Sequence, residues 1–385
     1  MSQPPRDLPS SDELSSSLLD ASLADDANTS TNIEDLFRHQ CNEPWLKNAN
    51  KTRVASILKL LEGTIRPGST RSISDTDGQR LPLDVPATVG RFEIGELVGE
   101  GSFGAVHRAF DTVLQRHVAL KAVALRPGLQ TADDDYRLNE ARAAAKLNHP
   151  NLVPLYEVLT DETGVYLVSE FCDGPTLAGY LAEDGSLIEP SWAAEIALKL
   201  SKAIAHAHGR GLVHRDIKPS NVLLSPERAT DDLLPFTPRL TDFGLVLDID
   251  KEASQQRNNR LAGTILYMSP EQIRGDQNSN ACSGDIYALG LLLYRMLAGK
   301  LPYRSNSTAK LFHEICVTPI EPVEETELAI PPDLHAIYLK ALEKDPSKRY
   351  LTAQEMADDL LRFRDGREVS ARPRSRPERI WQGLR

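Results

Sequence analysis

The sequence predicts an α+β chain in which a small strand-rich lobe precedes a larger helical one. Apolar and polar residues alternate from Arg91 onward, in RFEIGELVGEGSFGAVHRAF and HVALKAVAL, the period-two pattern of strands half buried on one face. From about Ser191 the apolar residues recur at helical spacing instead, in WAAEIALKLSKAIAHAHG, DIYALGLLLYRMLAG, LHAIYLKALEK and AQEMADDLLRFR. With 41% hydrophobic and 26% charged residues, the chain has ordinary globular composition and enough apolar material for a sizeable core.

Taken in order, residues 1–30 are rich in Ser, Asp and Pro and are expected to be disordered. Residues 31–63 are expected to be a short helical extension, which docks on the main domain or on a partner; transient helices in a flexible tail are the alternative. Thr31 and Glu34 have capping-box spacing, and Val54, Ile57, Leu58 and Leu61 share one helix face. Residues 64–90 read as a linker, residues 91–170 as the strand-rich lobe and residues 174–365 as the helical lobe. VYLVSEF is a further strand of the first lobe, and Asp133 to Leu147 carry a helical pattern. Residues 366–385 are a basic, Pro-containing tail.

Charge and cysteine usage narrow the classes of function. A net charge of −11 argues against a nucleic-acid partner. Cys41, Cys172, Cys282 and Cys316 are far apart and form no CxxC pair, so neither a zinc site nor a disulfide framework is expected. The N-terminus lacks the basic start and apolar core of a signal peptide. No apolar run approaches the roughly 18–20 residues of a membrane span. Ala288 to Leu293, the best candidate, is cut short by Tyr294 and Arg295 and reads as a buried helix. The expected location is cytoplasmic.

Four segments carry chemistry. VGEGSFGAV holds Gly99, Gly101 and Gly104, which let a backbone approach phosphate oxygens. Beyond AVHRAF the chain turns at Asp111 and Thr112 and enters another strand, so this is a hairpin rather than a strand feeding a helix. A turn with no ligand is the other reading of this segment taken alone. Lys121 interrupts an apolar strand, which is costly without an anionic partner. Glu140 on the following helix could supply that anion, and a solvent-facing Lys121 beside a surface Glu140 is the alternative. LVHRDIKPSN, from Leu212 to Asn221, is followed by TDFGL with Asp242. Asn221 and Asp242 are oxygen ligands suited to magnesium. Asp216 can accept a hydroxyl proton or orient that hydroxyl, and Lys218 can balance charge on a phosphoryl group in transfer. Loop capping could account for any one of these residues, but not easily for the ordered set.

This ordered set resembles the eukaryotic-type (Hanks-type) serine/threonine protein kinases: GEGSFGAV, VALK, Glu140 before NHPN, HRDIKPSN, DFG, SPE, DIYALG and DPSKRY. The resemblance covers about Arg91 to Asp365. It implies a bilobal protein-kinase fold, with a small antiparallel β-sheet N-lobe carrying one long helix and a larger, mostly α-helical C-lobe. It also implies transfer of the ATP γ-phosphoryl group to protein Ser/Thr hydroxyls with Mg2+, and autophosphorylation through self-association.

Roles come with the resemblance position by position. Lys121 would hold the α/β-phosphates and pair with Glu140. Asp216 would be the base and Lys218 a mark of Ser/Thr acceptors. Asn221 and Asp242 would hold magnesium. The glycine hairpin, Val98 to Gly104 with Glu100, Ser102 and Phe103, would cover the nucleotide. Val98, Val106, Ala119 and Leu223 would sandwich the adenine. Glu170 and Cys172 would bond it through their backbones, with Ser169 as gatekeeper. Thr264 would contact the acceptor residue. Glu271 and Arg349 would form a buried pair, Asp285 would brace the HRD backbone, and His214 and Phe243 would stack between the lobes. Arg215 before Asp216 implies control by activation-loop phosphorylation, for which Ser254 is the candidate site.

The chain departs from the pattern in having SPE where APE is common and a small Ser169, which predicts an open back pocket. LNHPNLVPLYEV, YRMLAGKLPY and the tail look most like bacterial members of planctomycete type, which often continue into a membrane span. A soluble chain is the expectation for this sequence, with membrane association the expectation for a longer form. A pseudokinase scaffold acting through the N-terminal helices is the alternative function. A small-molecule kinase of similar fold is a third reading, disfavoured by SPE, Thr264 and the Glu271–Arg349 pair.

Overall fold

The computed structural model describes residues 85–101, 104–123, 139–161, 164–182, 187–226, 233–243, 264–276, 280–303, 305, 308–323 and 329–372. The predicted helices within 31–63, residues Ser102 and Phe103, the side chains of Glu100 and Gly101, and the candidate site Ser254 lie outside it.

The alternating segments form strands β1 (Thr88–Val89), β2 (Phe92–Gly101), β3 (Gly104–Asp111), β4 (Arg116–Val123), β5 (Leu155–Asp161) and β6 (Gly164–Glu170). They build an antiparallel six-stranded sheet in the order β1-β2-β3-β4-β6-β5. One face buries Phe92, Ala109, Val118, Leu120, Ala122, Tyr166 and Val168, the period-two set that the sequence pattern selects. The β3–β4 turn is held by Asp111, which is fully buried. Its Oδ1 accepts from the backbone N–H groups of Val113 and Leu114, at 3.1 and 3.0 Å, and from Arg91 Nε at 3.1 Å. At Gly104 the backbone has φ +138°, and a Cβ there would stand 1.9 Å from the Ala122 carbonyl oxygen. Only glycine fits where β3 crosses this close to β4. Residues 139–144, on the chain between β4 and β5, are helical.

The strand-rich lobe begins earlier than the change in composition at Arg91. Thr88 and Val89 fall in the stretch read as linker, yet they pair with Glu93 and Phe92 at the sheet edge, and Val89 is buried. Two strand residues are too few for periodicity to register.

The second lobe is helical. Its elements are α1 (Leu177–Tyr180), α2 (Pro190–His208), α3 (Pro270–Arg274), α4 (Ala281–Ala298), α5 (Thr308–Cys316), α6 (Pro332–Ala341) and α7 (Ala353–Arg364). A two-stranded ribbon, β7 (Val222–Ser225) with β8 (Thr237–Leu240), lies against α1 and α2. The apolar stripes of α2, α4, α6 and α7 meet in one core that includes Ile196, Leu200, Leu289, Leu292, Met296, Ile337, Met356 and Leu360. Each such side chain contributes about 1.5–3 kcal/mol on burial. α4 packs closely on α6 at Gly290, where a Cβ would come within 2.8 Å of the Ala341 Cβ. α4 starts on an Asn280 cap and stops at Gly299 in the left-handed region, φ +70°. Among the described residues no helix is long and apolar enough to cross a membrane.

The helical lobe also reaches further than the predicted start of the tail at residue 366. Asp359 of α7, completely buried, accepts from the backbone N–H groups of Ser370 and Ala371 and from the Ser370 and Tyr350 hydroxyls. These bonds tie residues 370–371 back onto the domain.

Candidate active site

A cleft of about 820 Å³ gathers residues from both lobes. Val98, Gly99, Val106, Ala119 and Lys121 line it from β2, β3 and β4, and Ser169, Glu170 and Cys172 from β6 and the segment after it. Asp216, Lys218, Asn221 and Leu223 come from the loop before β7 and from β7 itself, Asp242 from the segment after β8, and Thr264 from the segment before α3. Residues far apart in sequence thus share one cavity, lined both by the apolar Val98, Val106, Ala119 and Leu223 and by the charged Lys121, Asp216, Lys218 and Asp242.

The loop of residues 212–221 is held from beneath. Asp285, near the start of α4 and 1% exposed, accepts from the backbone N–H groups of His214 and Arg215 and from His208 Nε2, each at 2.8 Å. This grip holds Arg215 at φ +66°, in the left-handed region that non-glycine residues seldom occupy. His214 Nε2 donates to the Thr241 carbonyl, so its Nδ1 is the acceptor that faces the Asp216 N–H, at 2.9 and 3.3 Å respectively. The His214 ring packs 4.5 Å from the Phe243 ring, coupling this loop to the DFG segment.

Asp216 is fixed through one of its two oxygens. Oδ2 receives Lys218 Nζ and Asn221 Nδ2, both at 2.9 Å, and Asn221 Nδ2 also donates to the Asp216 carbonyl at 2.8 Å. Lys218 Nζ reaches the Thr264 hydroxyl at 2.7 Å. Oδ2 is thus engaged twice, and Oδ1 accepts no hydrogen bond among the described residues.

The Lys121–Glu140 pair anticipated from the sequence is not formed. Glu140 Oε1 instead takes the Arg215 guanidinium at 3.0 Å, and Lys121 Nζ stands 2.8 Å from Asp242 Oδ2. The reason is local electrostatics. Lys121 and Arg215 compete for two carboxylates, and in this arrangement Asp242, with φ +68°, is turned onto the lysine. Burial pushes the Asp242 carboxyl up, but the Lys121 ammonium, helped by His214 and Lys218, outweighs it and leaves the carboxyl below its ordinary value.

Glu271 and Arg349 meet in the helical lobe, with Nη1–Oε1 at 2.6 Å and Nη2–Oε2 at 2.8 Å, and are 2% and 0% exposed at their side chains. Arg349 also donates to Ser283 Oγ and to the Glu343 carbonyl, so the buried pair is fully hydrogen-bonded. Ser269 and Gln272 close a reciprocal capping box that starts the helix bearing Glu271.

The protein kinase domain family matches residues 92–361. The chain belongs to this family. The serine/threonine-protein kinase PknB of Mycobacterium leprae (strain TN) is 36% identical over 294 residues, covering 74% of this chain and 45% of that protein. PknB of Mycobacterium tuberculosis (strain ATCC 25618 / H37Rv) is 36% identical over 290 residues, 73% of this chain and 44% of the other. PrkC of Bacillus subtilis (strain 168) is 33% identical over 275 residues, 70% and 40%. The chain therefore spans less than half the length of these relatives, which like it carry the Hanks-type bacterial kinase domain. The bilobal fold, with its antiparallel sheet and helical second lobe, is that of a protein kinase.

Two residues of this kinase site escaped sequence reasoning. Arg239 on β8 pairs with Glu170 at 2.5 Å and fixes the side chain of a cleft-lining residue. Arg295, in the last turn of α4, lines the cleft and acts on Tyr267. Arg239 sits in a segment with no motif, and Arg295 reads from sequence as an ordinary cation at a helix C-terminus.

Proposed function

We propose that this chain transfers the γ-phosphoryl group of ATP to Ser/Thr hydroxyls of proteins, itself included, by self-association of two copies. The observation that carries this reading is the clamped carboxylate: Asp216 Oδ2 held by Lys218 and Asn221, with Lys218 reaching on to Thr264. Asp216 Oδ1 accepts the acceptor hydroxyl's proton as that oxygen bonds to the γ-phosphorus and the bond to the bridging oxygen of ADP breaks. Lys218 offsets charge on the phosphoryl oxygens, and Thr264 keeps the acceptor beside Asp216. Lys121, on leaving Asp242, turns to the α- and β-phosphates. The apolar walls of Val98, Val106, Ala119 and Leu223 suit the flat adenine, and the backbones of Glu170 and Cys172 its polar edge.

The donor set also suits a hard cation, since Asn221 and Asp242 offer oxygens at the charged end of the cleft. They would hold magnesium, which supplies neutralisation of phosphate charge when bound.

The test is labelled-ATP autophosphorylation of wild type beside Asp216→Asn. The reading expects label on Ser or Thr in wild type and a loss of several orders of magnitude in the variant. Equal labelling of the two rejects Asp216 as the base.

A further inference from the structure

The cations lining the cleft are Lys121, Lys218 and Arg295. Lys121 is matched by Asp242, and Lys218 by Asp216. Arg295 has no carboxylate among the described residues. Its Nη2 donates to the Leu181 carbonyl at 3.0 Å, which anchors the side chain to the end of α1. Its Nη1 is buried and has no hydrogen-bond partner among the described residues. A buried guanidinium N–H without an acceptor is costly, and a helix-terminal arginine serving the helix dipole alone would point to solvent. Leu181 and Tyr267 interact with it, and Ala178 and Thr264 line the same cleft. Burial pushes the Tyr267 phenol up and Arg295 counters it, which places the guanidinium's field on the acceptor side of the cleft. Glu170, at the other end, is already bound by Arg239.

We infer that Arg295 is a specificity-determining residue that receives an anionic side chain, carboxylate or phosphate, a few positions from the acceptor Ser/Thr in the polypeptide substrate. The anion would take the open Nη1 while Nη2 stays on Leu181, a geometry in which arginine discriminates strongly against neutral or cationic side chains. This rests on the proposed Ser/Thr kinase activity and adds the chemistry of the substrate flanking the acceptor.

The experiment compares acceptor peptides that differ at one flanking position, scanned along the peptide, as Asp, phosphoserine, Asn or Lys. Wild type is expected to favour Asp or phosphoserine over Asn by about tenfold in kcat/KM at one position. The ratio of the two anionic arms identifies whether carboxylate or phosphate is the natural group. Arg295→Gln should bring the Asp-to-Asn ratio to about one, and Arg295→Glu should invert it in favour of Lys. Damage to folding lowers all peptides together and moves no ratio. Indifference of wild type to flanking charge, or an Arg295→Glu variant that keeps the wild-type order, overturns the inference. Absence of transfer to any peptide by wild type counts against the kinase activity instead. Equilibrium binding of the same peptides, which needs no turnover, then decides the subsite by the same ratios.

Discussion

Glu140 and Arg215 form an ion pair across the two lobes, 3.0 Å between Nη1 and Oε1, with side chains 31% exposed at the arginine and 15% at the glutamate. The helix carrying Glu140 is thereby tied to the loop carrying Asp216, while Lys121 is held by Asp242. The proposed activity pairs Lys121 with Glu140, which would require both of these ion pairs to break. On that proposal the arrangement is a resting one, and an anion that recaptured Arg215 would release it.

Replacement of Arg215 by Ala should therefore raise the activity of unphosphorylated protein. A partly exposed pair is worth up to about 1 kcal/mol, so the gain should be about twofold to fivefold. Initial rates on protein dephosphorylated beforehand measure this. A drop comparable to that of Asp216→Asn would show that Arg215 acts in the working site and not as a lock.

The Glu271–Arg349 pair gives a stability prediction of the opposite kind. Arg349→Met leaves a buried carboxylate with its principal partner gone and should cost about 3–5 kcal/mol. Adding Glu271→Leu should recover most of that, because an apolar pair of similar volume carries no desolvation penalty. Denaturant midpoints of the two single variants and the double variant test the coupling.

Asp359 predicts a pH dependence. Burial pushes its carboxyl up, but the Ser370 backbone and hydroxyl, Arg362 and Tyr350 outweigh this and hold it below the ordinary 3.8. The folded chain thus favours the ionised form. The resulting stabilisation is complete above the ordinary value and is lost as pH falls through the lowered one. Asp359→Asn should reduce Tm at neutral pH, with the gap to wild type closing below about pH 4. A gap that stays constant down to pH 2 would refute the linkage.

Ser169 lines the cleft beside Lys121 and Ala119, its pairing partner on β4. In the proposed nucleotide site its small side chain would leave the wall behind the adenine open. Ser169→Met should weaken bulky adenine-site ligands by roughly tenfold or more through steric overlap while altering ATP affinity far less. Competition binding with a matched pair of small and bulky ligands distinguishes the two effects.

Much of the fold was legible because its signals are local. The period-two run from Phe92 to Val123 and the helical runs at 192–209, 285–299, 334–344 and 353–364 each bury the face that their spacing selects. That Lys121, Asp216, Asn221 and Asp242 share a cleft was legible from their ordered motifs. The partner of Glu140 was not, since the choice between Lys121 and Arg215 depends on how the helix at 139–144 sits over the sheet, and residue types alone leave both pairings open. Arg295 and Asp359 were hidden for a related reason. Their periodicity places them correctly on α4 and α7, but what a buried charge faces is set by other elements, Leu181 in one case and Ser370 in the other.

The glycine at position 290 bears on all of this from a distance. A Cβ added there would stand 2.8 Å from the Ala341 Cβ and 3.1 Å from Leu342 side-chain atoms, so α4 packs closely on the C-terminal end of α6. Asp285 lies five residues back on the same helix, about 7.5 Å along its axis, and accepts from the backbone N–H groups of His214 and Arg215 just before Asp216. On the proposed activity, enlarging that contact by one methyl group would shift Asp216 without touching the cavity, and a screen for inactive variants should find such lesions far from any ligand.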